Sequence, residues 1–574
     1  MKKGLRIIAL LLVMAMMLTA CGQTTPEASK TDGTKKDSAW PEYLNMEAEY
    51  PIIKDEYKDT IKLTAAIGVS ADAGEWEDLW VSKYLKDKYN IELEVEYILD
   101  SALGERKNLM MNSGELPDLM LNMAFTPQEL TRYGAQEGLL LAVDEYISEE
   151  LTPNMYPQMT EDVIGAVTAG DGHVYTIPGF NDPEEVHEVT AQRWINTEYL
   201  KKAGINELPA TLDEFVDAMY ALKKAEVTGV GRANFYPLGG GMEVESLTPM
   251  LLNALGYNVA NDNYYGLKPA VRDGEAVIPV YDMEVYKEFL TLMNQFYKDG
   301  IINSNYFTIE ATESSAQMVE RKTAMLGQNG ALGTMTDTYK EWSSLPPLTS
   351  EWQSEPEQYD YLPLLVGGFV ISADTEYPEL CMRFADIYYD LEESRVFWGG
   401  TPANTEYNYE GYIYQTWDAE KKSMQYVEAI PEGLSPWVYN LGYMHGFFPE
   451  FGSYRLRTAV NNLSVAAGGE LVINNRDTYT PDTVLAHHTR LSMFNNNIEY
   501  VTYGYPTIVF FDEETNQKIS DISTVLDPYV KEQVALFITG GRDLAEVDDF
   551  VAEMESMGMD ELSQIYIDYY NSVK

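Results

Sequence analysis

The pattern of hydrophobic and polar positions alternates between two periods in the early part of the chain. Residues Ile61–Val69 alternate and then become continuously apolar, and Ile91–Ile98 alternate strictly, so both predict strands. Between them, Glu75–Tyr89 repeats at helical spacing, and Glu105–Met111 predicts a second helix. A short apolar stretch, Leu119–Met123, comes next. This order predicts an α/β layer with a parallel sheet.

Long helical patterns recur later in the chain, without any internal repeat. They cover Leu212–Lys224, Val285–Lys298, Tyr377–Leu391 and Leu544–Asn571. A chain of 574 residues exceeds what one compact core usually holds. We therefore expect at least two domains.

The amino terminus has the pattern of a secretory signal. Three basic residues within the first six precede the apolar run Ile7–Leu18, which is too short to span a bilayer. The ending Leu18-Thr19-Ala20-Cys21 resembles the bacterial lipobox, which implies that Cys21 becomes the lipidated first residue. The alternative is an ordinary signal cleaved elsewhere. Gly22–Trp40 is rich in Thr, Ser, Lys, Asp and Gly and predicts a linker that does not fold.

Charge and cysteine content restrict the partners and the covalent chemistry. The formal net charge of −51 argues against nucleic-acid binding and disfavours a strongly anionic ligand. The chain has 2 cysteines, Cys21 and Cys381. Because Cys381 has no partner once Cys21 carries lipid, we expect no disulfide framework and a buried structural thiol at Cys381.

Several short stretches, taken in order, indicate one family. They are SGELPDLM (113–120), GLLLAVDEYI (138–147), DGHVYTIPG (171–179), NTEYLKKAGINELPATLDEFVDAM (196–219), LLVGGFVIS (364–372), the tail 511–540 and GMDELSQIYIDYYN (558–571). This order resembles the family 1, carbohydrate-type extracellular solute-binding proteins of ABC importers. The tail resembles the long lipoprotein branch of that family found in Gram-positive bacteria.

The resemblance implies a type II periplasmic-binding-protein-like fold, in which two α/β lobes joined by a hinge close on a ligand. It places a signal peptide at 1–20 and the lipidated cysteine and linker at 21–58. The amino-terminal lobe is expected at 59–175 plus about 318–365, and the carboxy-terminal lobe at 176–317 plus about 366–510. Residues 511–574 are expected to form a helical extension. His173–Pro178 and Leu362–Ser372 are expected to cross between the lobes.

The resemblance also implies the function. A monomeric receptor, anchored by lipid to the outer face of the cell membrane, would capture a carbohydrate and deliver it to the membrane subunits of an ABC importer. An oligosaccharide is favoured over a monosaccharide. We predict no cofactor and no metal. Calcium is not expected at Lys223–Leu238, where relatives carry a calcium-type loop, because this stretch contains no aspartate.

Aromatic residues in loop-like positions are the candidate sugar contacts. Tryptophan and tyrosine offer flat apolar faces together with polar groups, as a sugar ring requires, and the chain has 9 Trp and 42 Tyr. For each of them, a place in the core is the alternative. The candidate ligand-binding residues are Trp76, Arg193, Trp194, Phe369, Trp398, Trp437, Tyr439 and His445.

Other classes of function have weaker support in the sequence. A surface glycoside hydrolase would need a pair of carboxylates, which 91 acidic residues make impossible to identify from sequence. Neither a nucleophile elbow nor a P-loop nor a zinc-helix motif is present in the sequence. A peptide or another small polar solute remains an alternative ligand, and an adhesion lipoprotein is disfavoured by the α/β pattern.

Overall fold

The computed structural model describes most of the chain. The described residues are 40–69, 75–180, 193–327, 338–360, 364–390, 393, 397, 415–418, 423–426, 463–465, 471–473, 492 and 495–574. The candidate contacts Trp398, Trp437, Tyr439 and His445, and the lipidation residue Cys21, lie outside them. Within the described part, no helix is both long and apolar enough to cross a membrane.

Thirteen α-helices are present in the described residues. They are α1 (Trp80–Tyr89), α2 (Leu103–Ser113), α3 (Pro127–Leu130), α4 (Glu161–Val167), α5 (Thr197–Lys202), α6 (Leu212–Ala225), α7 (Thr248–Ala254), α8 (Met283–Lys298), α9 (Ala311–Val319), α10 (Pro378–Ile387), α11 (Glu513–Thr539), α12 (Val547–Ser556) and α13 (Met559–Val573). The pattern at Leu544–Asn571 is thus two helices, because Gly558 at φ 100° separates α12 from α13.

Most of the strands in the described residues are short. They are β1 (Leu63–Val69), β2 (Leu93–Leu99), β3 (Leu119–Leu121), β4 (Gly179–Phe180), β5 (Trp194–Asn196), β6 (Tyr236–Leu238), β7 (Ala270–Arg272), β8 (Glu275–Val277), β9 (Thr323–Leu326), β10 (Trp342–Ser344), β11 (Gln358–Asp360), β12 (Leu364–Leu365), β13 (Phe369–Ile371), β14 (Gln415–Asp418), β15 (Ser423–Tyr426), β16 (Leu463–Val465), β17 (Leu471–Ile473) and β18 (Val501–Tyr503).

The first lobe is built on a sheet in the order β13-β3-β1-β2. Strands β1, β2 and β3 are parallel, with Ala65 opposite both Val95 and Leu119, and β13 is antiparallel to β3. The strand–helix–strand rhythm of the sequence is therefore confirmed here as a parallel βαβ arrangement.

The second lobe is built on a sheet in the order β10-β5-β9-β6. Here β5 is antiparallel to both β9 and β10, and only β6 and β9 are parallel. Ile195 and Met325 belong to the large apolar core that this sheet shares with its helices, including α6 and α8.

Sheet membership corrects the expected assignment of chain segments. Two strands expected in the amino-terminal lobe pair within the second sheet: Thr323–Leu326 and Trp342–Ser344. One strand expected in the carboxy-terminal lobe, Phe369–Ile371, pairs with β3 of the first sheet. The apolar stretch Leu362–Ser372, expected to cross between the lobes, does not form one continuous strand. It is two strands, β12 and β13, separated at Gly367, where φ is +76°. The chain has thus re-entered the first lobe before β13 begins.

Two segments of this connection run side by side between the lobes. Strand β12 pairs antiparallel with β4, and Ile177 donates its amide hydrogen to the carbonyl of Phe369 at 2.9 Å. The hydroxyl of Thr176 donates to the same carbonyl at 3.1 Å and accepts the amide hydrogen of Gly367 at 3.0 Å. Thr176 is fully buried, and a buried amide must be hydrogen-bonded. The hydroxyl of Thr176 therefore supplies the acceptor that the amide of Gly367 needs inside the connection.

The carboxy-terminal helices are part of the second lobe. Leu526 and Val530 of α11 are fully buried in the same core as Phe289 and Leu290 of α8. The side-chain amide of Asn294 donates to the carbonyl of Phe537 at 2.8 Å, which satisfies a carbonyl near the end of α11. The expected helical extension is thus present and completes the second core.

Candidate functional site

The site is expected at the carboxyl ends of the parallel strands, where open α/β sheets bind ligands. In the first lobe, this edge follows β1 and β3. Asn122, just after β3, donates its side-chain amide to the carbonyl of Gly68 at 3.0 Å and its backbone amide to Gly368 at 2.7 Å. Asn122 and Ala124 both adopt positive φ, 54° and 49°. The edge is a tightly hydrogen-bonded turn with little room between its backbones.

Glycines make this close approach possible. A side-chain carbon at Gly68 would overlap the carbonyl oxygen of Asn122, and one at Gly367 would overlap that of Phe125. Gly367 belongs to the glycine pair of the motif LLVGGFVIS (364–372). In the structure, Gly367 accommodates the protein's own backbone at Phe125.

The corresponding edge of the second lobe carries larger side chains. The chain enters β5 here, after β4 and residues 181–192, and the carboxyl end of β9 lies alongside. Arg193, only 3% exposed, donates from one guanidinium nitrogen to the carbonyl of Gly327 at 3.1 Å. Its other terminal nitrogen donates to Oδ1 of Asn261 at 3.2 Å.

Burial lowers the pKa of Arg193 without removing its charge at neutral pH. Desolvation lowers the pKa of its guanidinium to about 10, and the nearby phenols of Tyr264 and Tyr306 act in the opposite direction. Arg193 therefore stays protonated at neutral pH. The pKa of Tyr264 is raised, mainly by burial and then by Asp262 and Glu243, so its hydroxyl stays neutral and can donate a hydrogen bond.

The candidate residues that are described lie on or next to these edges, and all are buried. Trp194 is fully buried beside Arg193, and its indole nitrogen has no hydrogen-bond acceptor among the described residues. Trp76 opens the short 3-10 helix (Trp76–Asp78) that precedes α1 and is 5% exposed. Phe369, 3% exposed, packs its ring against Phe384 and Tyr388 inside the first lobe. Their contact with a ligand stays a prediction.

Sequence reasoning missed several polar residues at the second edge. Asn261 and Tyr264 belong to the stretch NDNYYG. Its amide and aromatic residues, in a loop, are the sequence signal from which these two positions could have been predicted as candidate contacts. Ser492 accepts the amide hydrogen of Ser344 at 2.7 Å, and Asn496 donates to the carbonyl of Ser344 at 2.8 Å. These contacts surround the carboxyl end of β10 with hydroxyl and amide groups of the type that bind sugar hydroxyls.

Metal ligands do not cluster in the described part of the chain: no group there of three or more His, Cys, Asp or Glu side chains could hold an ion. The loop between α6 and β6, where relatives were expected to carry a calcium-type site, has Glu226 as its acidic residue.

Comparison with known proteins identifies the family. The model of the bacterial extracellular solute-binding protein family matches residues 80–409, more than half of the chain. The chain belongs to this family. The match includes strands of both sheets and the connection between them, while β1 lies before it.

Three relatives show how far the similarity extends. The fructooligosaccharide ABC transporter substrate-binding protein FusA of Streptococcus pneumoniae is 24% identical over 580 aligned residues, covering 94% of this chain and 96% of FusA. The structure of FusA in complex with kestose has a TM-score of 0.66 at 21% identity, covering 89% of this chain and 99% of the other.

A human-milk-oligosaccharide-binding, ABC-transporter-associated solute-binding protein of Bifidobacterium longum infantis has a TM-score of 0.67 at 16% identity, covering 89% and 98% of the two chains. The lipoprotein LipO of Bacillus subtilis is 25% identical over 294 residues, which are 50% of this chain and 53% of LipO. At these identities, the solved structures establish the two-lobe fold.

Proposed function

We propose that this protein is the substrate-binding component of an ABC importer and captures an oligosaccharide in the cleft between its lobes. The observation that carries the proposal is the alignment with a fructooligosaccharide-binding transport protein over 94% of this chain. The second edge supports it, because Asn261, Ser492 and Asn496 place amide and hydroxyl groups there and Trp194 adds an aromatic ring.

The mechanism follows from two lobes that move about their connection. The open form exposes the two edges, and a sugar that contacts both edges favours the closed form by the difference in its binding free energy for the two states. The importer's membrane subunits then recognise the closed form. The neutral phenol of Tyr264 and the fixed guanidinium of Arg193 would supply hydrogen bonds, and tryptophan faces would stack on sugar rings.

The binding test uses the aromatic residues predicted from sequence. Trp398→Ala and Trp437→Ala should each weaken binding of kestose, or of the best oligosaccharide in a glycan and peptide panel, by about 1 to 3 kcal/mol in calorimetry. Tyr156→Ala is the control, because Tyr156 is 48% exposed on the first lobe. Normal binding by both tryptophan variants would refute the site assignment, and binding of peptides alone would refute the ligand class.

The anchor is tested separately. We propose that Cys21 carries lipid and holds the protein at the outer face of the cell membrane, supported by the lipobox-like ending and by similarity to a lipoprotein. Cys21→Ser should release the protein from the membrane fraction into the medium without changing sugar affinity. Retention of that variant in the membrane would contradict the anchor. The same preparation, incubated with the bound sugar, should yield no hydrolysis product.

A further inference from the structure

A third segment also passes between the lobes, after β18. It leaves β18, which pairs parallel with β11, and reaches Tyr505, whose ring is 5% exposed. The hydroxyl of Tyr505 donates to the carbonyl of Tyr566 on α13 at 3.1 Å. Its ring stacks on that of Tyr570 with centroids 5.8 Å apart. Tyr505 is therefore fixed to the second lobe through the carboxy-terminal helix.

The next anchors lie five and six residues further on and belong to different lobes. Phe510 packs against the core of the first lobe, which includes Met123 and Tyr133. Phe511, its neighbour in sequence, packs on Tyr566 and Tyr569 of α13, with ring centroids 6.1 and 5.2 Å apart. The chain thus leaves the second lobe at Tyr505, contacts the first lobe at Phe510 and returns at Phe511. We call Pro506–Phe510 the strap.

The strap has space to move. A groove of about 580 Å³ lies beside it, lined by Ala166 of α4 in the first lobe, Leu364 of β12, and Tyr569 and Val573 of α13. The groove is thus bordered by both lobes, so its width depends on the angle between them. Ile508 and Phe510 of the strap face the same groove.

We propose that the strap limits how far the lobes can open. It differs from the pair formed by β4 and β12, which is held by main-chain hydrogen bonds, because it packs on the core of the first lobe through the half-buried aromatic side chain of Phe510. A contact between apolar side chains has no preferred direction, so Phe510 can shift along the core of the first lobe. Tyr505 and Phe511, on either side of it, are held on α13. The carboxy-terminal helices, through α13, therefore set the range of the hinge.

Loss of the strap contact should broaden the range of lobe angles. Fewer molecules would then occupy the closed, binding-competent arrangement, and the apparent dissociation constant rises as that fraction falls. Because Phe510 is half-buried at the end of a five-residue segment, its truncation should leave both lobes folded.

The experiment measures the distance between the lobes without any sugar. Spin labels are placed on the exposed residues Glu105 of α2 and Lys224 of α6 after substitution by cysteine, in the full chain carrying Cys21→Ser. Cys381 is fully buried and is spared by the reagent. Phe510→Ala should broaden the distance distribution and shift it to longer distances by several ångströms. Tyr503→Ala is the matched control, because Tyr503 is 58% exposed at the end of β18, before the strap begins.

Two further measurements complete the test. Phe511→Ala, which loosens the return anchor, should broaden the distribution in the same direction. An unchanged distribution in both Phe510→Ala and Phe511→Ala would overturn the proposal. Kestose affinity, which rests on the proposed function, should fall about 3- to 10-fold in Phe510→Ala. Because the distance measurement needs no ligand, absence of kestose binding in the parent protein would count against the proposed function and leave the strap result standing.

Discussion

The two lobes differ at the edges that border their connection. In the first lobe, Gly68, Asn122 and Gly367 bring backbones into direct contact, with little side chain between them. In the second lobe, Arg193 and Trp194 fill the edge with buried, polar and aromatic side chains. The first edge is thus built from closely packed backbone, and the second from buried side chains.

The hydrophobic cores of the two lobes also differ, in the origin of the helices that cover each sheet. The first lobe is covered by short helices between its parallel strands, whereas the second extends its core through α8 to the long carboxy-terminal helix α11. A sheet with mostly antiparallel neighbours needs no βαβ crossovers, so its helices can come from distant parts of the chain. The following four predictions test this comparison, from the largest expected effect to the smallest.

The first prediction concerns the closely packed backbone of the first lobe. Gly367→Ala should reduce the free energy of unfolding by about 4 kcal/mol, because the new methyl group overlaps the carbonyl of Phe125 and the residue has φ +76°. Urea unfolding measures this loss. Gly138→Ala is the control: it has φ +66° but no atom within 4 Å of the new carbon, so the loss should be about 1 kcal/mol. Equal losses would refute the close contact.

The second prediction concerns the extended core of the second lobe. Leu526→Ala should cost about 3 kcal/mol, because Leu526 is fully buried against the core of that lobe. Its neighbour Val525 is 59% exposed, and Val525→Ala should cost less than about 0.5 kcal/mol. Hydrogen exchange should show faster exchange in β5 and β9 as well as in α11. Faster exchange confined to α11–α13 would mean that the extension is a separate unit.

The third prediction concerns a buried carboxyl group of the first lobe. Burial raises the pKa of Asp386 to about 6, although it accepts hydrogen bonds from the amides of Asn154 and Met155 at 3.0 and 2.7 Å and lies near Arg383. Because the folded protein then holds this proton more tightly than the unfolded chain, stability falls as pH rises from about 4 to 6, by no more than about 3 kcal/mol.

The measurement compares two proteins across that pH range. Asp386→Asn cannot lose a proton, so the stability difference between parent and variant should change between pH 4 and 6 and level off above it. A difference that is constant with pH would contradict the raised pKa. Glu92 is a control carboxylate, since its pKa is lowered, chiefly by hydrogen bonds from Lys62 and Lys86. The Glu92→Gln difference should change with the opposite sign and at lower pH, as the pH falls below about 4.5.

The fourth prediction concerns the connection between the lobes. Thr176→Val keeps the shape of the side chain but removes the hydroxyl that bonds Gly367 and Phe369, so stability should fall by about 1 to 2 kcal/mol. Thr176→Ser, which retains the hydroxyl, should lose clearly less in the same denaturation experiment. If the serine variant loses as much as the valine variant, the methyl group and not the hydrogen bonds accounts for the effect.

Prediction from sequence was most successful where structure depends on near neighbours. The periods at Ile61–Val69, Glu75–Tyr89 and Ile91–Ile98 gave β1, α1 and β2 with bounds shifted by a few residues. The helix predicted at Leu212–Lys224 spans Leu212–Ala225, one residue longer. A capping box formed by Thr211 and Glu214 starts it at its amino-terminal end. These features depend on residues within one or two turns of each other.

Prediction was wrong where pairing joins distant segments. Periodicity identifies Phe369–Ile371 as apolar and extended, but it cannot say whether its partner is Leu121 or a strand of the second sheet. Arg193 and Trp194 were chosen as candidate contacts because they follow a predicted crossing segment, and their contact with a ligand stays a prediction. Asn261 was missed because its contact with Arg193 joins residues 68 positions apart.

The sequence alone thus determined the secretory and lipobox-like start, the α/β periodicity and the ordered motifs of a solute-binding family. All of these are set by local residue order. Only the tertiary structure decided which lobe each late strand joins, why Gly367 must be glycine, and how α13 fixes both ends of the strap. These features depend on the fit between surfaces far apart in the chain, and that fit is selected by packing and hydrogen bonding over the whole fold rather than by any local pattern.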